Sequence, residues 1–156
     1  MSVVRDPGGS LYAIYGTRVE RATAALPAST AAAIFTIATG RILLTSIVGE
    51  VTTVIQTQAC DTQLTFDPTD AGATQALCAD LDITADAVGT MYSITGTPAT
   101  AMQDALNFLP SSKVLAQPIL LKPGQILLDT SATNTGSVKW SLTYIAYDTG
   151  ASVTAA

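Results

Sequence analysis

The chain has 156 residues, a length that suits one domain able to bury about two-thirds of its unfolded surface without disulfides or metal. Only 12% of its residues are charged, against roughly 25% in a typical soluble domain, and the mean hydropathy is +0.39. A lone small domain needs surface charge to stay soluble and monomeric, so this composition points to an outer surface covered by partners.

A membrane span does not account for the same numbers. The longest uncharged run, residues 22–40, carries Thr23, Pro27, Ser29, Thr30, Thr36 and Thr39, too polar where roughly 20 predominantly apolar residues are required. Residues 1–10 set Arg5 beside Asp6 and continue into Pro7-Gly8-Gly9. They offer no apolar h-region, so no secretory signal is expected. Without export, Cys60 and Cys78 are expected as two buried free thiols, with a bridge between them as the open alternative.

Charge is unevenly placed. Between Arg41 and Lys113 there is no Lys or Arg, while Glu50, Asp61, Asp67, Asp70, Asp80, Asp82, Asp86 and Asp104 fall there. That stretch sums to −8 and the rest of the chain to +3, giving the net −5. Two readings stay open: the acidic stretch meets the basic N-terminal part of a neighbouring copy, or it is a solvated face. Nucleic acid is excluded as a partner, because neutralising phosphates takes clustered Lys and Arg.

In chain order, residues 1–17 show no clear period and read as an extended N-terminal arm, with Leu11, Tyr12, Ile14 and Tyr15 suited to docking on another subunit. A β-domain is expected over residues 18–148. Residues 18–26 form a strand ended by Pro27, and residues 31–38 a second, stopped at Thr39-Gly40. Residues 41–58 are rich in β-branched side chains, and Gly49 within them predicts a bulge, a bend or two successive strands. Residues 62–66 alternate and close at Asp67-Pro68, while residues 75–81 and 90–95 are weaker strands. Residues 97–113 break the rhythm: Thr97-Pro98 suits a helix start, and Met102, Ala105, Leu106 and Leu109 lie at helical spacing, so a short helix or an ordered loop is expected. The β pattern resumes over 118–121 and 125–129. Residues 138–147 then alternate cleanly, with Val138, Trp140, Leu142, Tyr144 and Ala146 on one face. Trp140 is expected as a core anchor. Residues 149–156 read as a C-terminal tail. About eight short, evenly spaced strands predict a single all-β sandwich or jelly-roll domain.

Little chemistry is available. Histidine is absent, which removes Ser-His-Asp and Cys-His catalysis as usually built, and with them the commonest zinc ligand. Ser111-Ser112-Lys113 reads as a polar turn. Asp80, Asp82 and Asp86 could offer oxygen to a hard cation, but the stretch lacks the glycine and closing Glu of a calcium loop, so a solvated cluster is the better reading. No catalytic residue, metal or cofactor is expected. The candidate sites are subunit contacts instead: Leu11, Tyr12 and Tyr15 in the arm, Arg18 and Arg21 beside it, and Ile145 and Tyr147 on the outward face of the last long strand.

Residues 40–58 (GRILLTSIVGEVTTVIQTQ), 81–96 (LDITADAVGTMYSITG) and 136–148 (GSVKWSLTYIAYD) resemble small virion proteins of long-tailed bacteriophages, especially those infecting actinobacteria. The resemblance covers most of residues 20–148 and rests on a general pattern rather than one motif. It implies a capsid decoration, or cement, protein: a β-sandwich on the capsid exterior, assembled in the host cytoplasm. It also implies a homo-oligomer, a trimer by preference, that binds the major capsid protein through an N-terminal arm and carries no catalytic residues. A tail or fibre component that binds host-surface carbohydrate is the alternative expectation.

Overall fold

The computed structural model describes residues 16–108 and 115–156. Among them there is no helix and there are twelve strands, packed as a sandwich of two antiparallel sheets. In chain order these are β1 (Thr17–Ala25), β2 (Ala31–Ala38), β3 (Ile42–Thr53), β4 (Asp61–Pro68), β5 (Gln75–Ala76) and β6 (Leu81–Asp82). They continue with β7 (Thr90–Ser93), β8 (Gln103–Leu106), β9 (Ile119–Leu121), β10 (Gly124–Thr130), β11 (Ser137–Ala146) and β12 (Ser152–Ala155). The first sheet runs β1-β11-β3-β7-β8, with β9 also paired to β3. The second runs β12-β2-β10-β4-β5, with β6 also paired to β4.

The strands follow from two-residue alternation. In β11, Val138, Trp140, Leu142 and Tyr144 are buried while Lys139 and Ile145 are exposed, so one face meets the core. In β10 and β4, Ile126, Leu128, Leu64 and Phe66 point into the same core from the other sheet. The long central β3 is buried along most of its length.

Four expectations need correction. The helical spacing over 97–113 does not produce a helix: residues 103–106 form β8, antiparallel to β7, while Leu109 lies outside the described residues. Helical spacing alone cannot hold a four-residue segment that finds a hydrogen-bonding edge beside it. Gly49 marks neither a bulge nor a break. The register slips in β3 fall at Thr45 and Thr52, and Gly49 pairs squarely with Trp140. A Cβ at Gly49 would lie 2.8 Å from the Trp140 ring, so the glycine makes room for the indole. The strand count exceeds eight, because the 75–81 segment splits into β5 and β6 and because β8 and β12 add short pairings, while β9 is the expected 118–121 strand. Residues 149–156, read from sequence as a tail, contain β12, which extends the second sheet along β2.

Trp140 is 2% exposed and stacks on Tyr92 with ring centroids 6.3 Å apart. Cys60 and Cys78 are both buried and unbridged. The Cys78 sulfur accepts the Leu64 amide at 3.3 Å, and burial pushes its thiol pKa up.

Candidate functional site

The outward face of the first sheet brings together Arg18 and Ile145, two of the four sequence-predicted contact residues that are described. In β11, Ile145 is 44% exposed and lies directly across from Leu43 of β3. Leu43 lies across from Leu120 of β9 on its other side, and Leu120 is 46% exposed. The three aliphatic side chains therefore form one row across three neighbouring strands. Directly opposed residues in antiparallel strands sit about 5 Å apart, close enough to act as a single apolar surface.

The row's far end is fixed by Gly16. Its φ is +91°, and a Cβ there would collide with the Tyr144 carbonyl oxygen and stand 2.9 Å from Ile145 Cγ1. Only glycine allows both that conformation and that approach. Residues 1–15, including Leu11, Tyr12 and Tyr15, lie outside the described residues.

Beyond β11, Tyr147 is 59% exposed. The Arg41 guanidinium stands 4.9 Å above its ring. Arg41 also donates from Nε and Nη2 to the Asp148 carboxylate, at 2.9 and 2.8 Å, and from its backbone amide at 2.8 Å. This bidentate grip, first through the hydrogen bonds and then through charge, holds the Asp148 carboxyl down at about 2. Tyr147 is thus held by an ion pair already closed upon itself.

Arg18 shares the outward face with Ile145 and pairs with Glu20 at 2.5 Å. Arg21 does not join it. It sits across from Trp140, and its Nε donates to the Ala156 carbonyl at 2.9 Å, at the margin where β1 meets the end of β12. There it borders a cavity of about 60 Å³ that Trp140, Ala24, Pro27, Ile34 and Leu128 also line.

The electrostatics differ between the sheets. The strands of the first carry three cations (Arg18, Arg21, Lys139) against three carboxylates (Glu20, Glu50, Asp104). Lys139 pairs with Glu50 at 2.8 Å. The strands of the second carry Asp61, Asp67, Asp82 and Asp129 and no Lys or Arg, a sum of −4.

Of the Asp80, Asp82 and Asp86 cluster, Asp82 and Asp86 are spent on local bonds. Asp82 Oδ1 accepts the Thr84 amide at 2.9 Å and its hydroxyl, which holds the carboxyl pKa down. Asp86 accepts the Tyr92 hydroxyl. Burial, and then repulsion from Asp104 and Asp82, raises the Asp86 pKa against the lowering effect of that bond. Among the described residues, no group of three or more His, Cys, Asp or Glu is placed to hold a metal ion.

The sequence reading missed Leu43 and Leu120. Each is the middle residue of an apolar triplet, Ile42-Leu43-Leu44 and Ile119-Leu120-Leu121. In a strand, one member of such a triplet must point away from the core, and that was the available signal. Comparison of the chain with family models, with curated proteins and with solved structures finds no match.

Proposed function

We propose that the chain is a non-enzymatic structural protein of a virion, a decoration subunit that stabilises a phage head as a homo-oligomer seated on the major capsid protein. Three copies is the number the sequence resemblance implies. The first observation behind the reading is the order of strands. With β5 and β6 taken as one position and the short β8, β9 and β12 set aside, eight positions remain. Counted along the chain they run 1-8-3-6 in one sheet and 2-7-4-5 in the other. Two nested Greek keys give this interleaving, so a jelly roll is the finer fold we adopt.

Viral shells and lectins both use jelly rolls, so the fold alone does not choose between them. Side chains favour the shell. The single tryptophan, the best stacking platform for a sugar, is in the core, and the exposed Tyr147 ring is already engaged by Arg41. The low charge content and the aliphatic row suit a subunit covered by neighbours. Immunogold electron microscopy of the particles that contain the protein tests the reading. Label over the head is the expected result, and label confined to tails, or absent from virions, overturns it.

A further inference from the structure

We infer that the outward face of the first sheet, centred on the row Ile145–Leu43–Leu120, is the surface on which a second copy of this chain docks. The inference rests on the structural-subunit reading above and gives it an address.

The first consideration is charge. The chain carries −5, so copies repel wherever both present acid. The second sheet presents such a surface, with Asp61, Asp67, Asp82 and Asp129 on its strands and no cation among them. Two of these faces brought together would set like charges against each other with nothing to neutralise them. The first sheet's outward face has no such barrier. Arg18 is closed on Glu20 and Lys139 on Glu50, so covering them requires no complementary charge from the partner. A partner face with the same property, as a second copy supplies, meets no repulsion.

The second consideration is what remains between those pairs. Along β11 and β3 the outward positions still partly open are Ser141, Thr143 and Val48, with Ser46 already buried between them, and beyond them lies the aliphatic row. Small hydroxyl side chains and aliphatics pack flat and carry little desolvation cost compared with charge. Ile145 and Leu120 are nearly half exposed in the single chain although they are large and apolar. Closing water out of that row is the favourable term that a docking event would gain.

Size is the third. β1, β11 and β3 have 9, 10 and 12 residues, and β7 and β9, with 4 and 3, share the remaining edge of β3; at about 3.3 Å per residue and about 4.8 Å between strands they present roughly 600 Å² in projection, near the approximately 800 Å² per partner of a standard stable interface. Among the described residues, no other strand face combines that extent with charge balance, since the second sheet's strands sum to −4.

The test is sedimentation velocity on the full chain and on the double variant Ile145→Asp/Leu120→Asp, with far-UV circular dichroism and thermal midpoint recorded for each. The wild type is expected as an oligomer. The double variant is expected to be folded and to sediment as the 16.0 kDa monomer at concentrations where the wild type stays associated. Leu127→Asp, on the outward side of β10 in the acidic sheet, is expected to keep the wild-type mass. Should the aspartates unfold the chain, Ile145→Ser/Leu120→Ser carries the test and must shift association to higher concentration. A folded double variant with wild-type mass overturns this address and leaves the subunit reading standing. The same result is expected if residues 1–15 of the same chain cover the row. A wild type that remains monomeric at every concentration overturns both.

Discussion

Gly49→Ala is the sharpest test of how the core is built. A Cβ at Gly49 would stand 2.8, 2.9 and 3.0 Å from Trp140 Cη2, Cζ3 and Cζ2, where carbon atoms in good contact sit about 3.5–4.0 Å apart. The indole would have to retreat by about 0.7 Å to restore that separation. It has little room to do so, because Trp140 is 2% exposed and backed by the stacked Tyr92, whose hydroxyl is tied to Asp86. Overpacking of this kind costs roughly 1–3 kcal/mol. Alanine also recovers about 0.5–1 kcal/mol that glycine forfeits inside a strand, and Gly49 has no positive φ to strain the new residue. The net loss is therefore about 0.5–2 kcal/mol, which for a domain of this size lowers the thermal midpoint by roughly 2–6 °C. Calorimetry reads the shift, and near-UV circular dichroism of the single tryptophan reports whether the ring has moved. In a Trp140→Phe background the distal ring is gone, so the same Gly49→Ala change is expected to be neutral or stabilising. The double-mutant cycle then isolates the clash. A Gly49→Ala protein as stable as the wild type, or more so, refutes the view that this glycine exists to seat the indole.

Acid should expose the Arg41–Asp148 clasp. Asp148 is held at about 2 in the folded chain, below its ordinary value near 3.9, so its contribution is fully present above the ordinary value and is lost as pH falls from about 4 toward 2. Asp148→Asn is expected to flatten the urea-midpoint profile over that window, and an unchanged slope there refutes the assignment. The two cysteines provide a second check, because both are buried and free. Neither should react with Ellman's reagent in the folded protein at pH 8, and both should react in guanidinium. A rapidly labelled native thiol would contradict the packing.

Legibility from sequence tracked the strength of alternation. The strand β11 stood out because ten residues keep one period, and Trp140 could be assigned to the core on that basis alone. Helical spacing in residues 102–109 misled because four apolar side chains in eight residues fit a helix by chance, while the decisive influence on residues 103–106 is the hydrogen-bonding edge of β7, a partner distant from any local window. Gly49 suggests a backbone feature, a bulge, a bend or a break between strands, when the reason for it is a side chain ninety-one positions away in sequence. Leu43 and Leu120 were hidden for a related reason. Triplets of aliphatics announce burial, and which member faces outward is settled only when strands pair and the register is known.

The acidic stretch shows how a linear pattern changes meaning when it folds. Between Arg41 and Lys113 the sequence holds eight carboxylates and no cation, which suggests one acidic surface. Folding disperses them. Glu50 is neutralised by Lys139 from β11, and Asp70 by Lys122 from the turn before β10. Asp86 and Asp104 gather near the Tyr92 hydroxyl, where their mutual repulsion helps to keep the Asp86 carboxyl pKa raised. Asp61, Asp67 and Asp82 go to the second sheet and are joined there by Asp129, which lies outside the stretch altogether. A patch seen along the chain thus becomes a division between faces, one balanced and one acidic. An acidic arm-binding segment would have tied assembly to the N-terminal arginines and made it weaken sharply with salt. A balanced face with an aliphatic row makes association depend on apolar contact instead, and such association should persist as ionic strength rises.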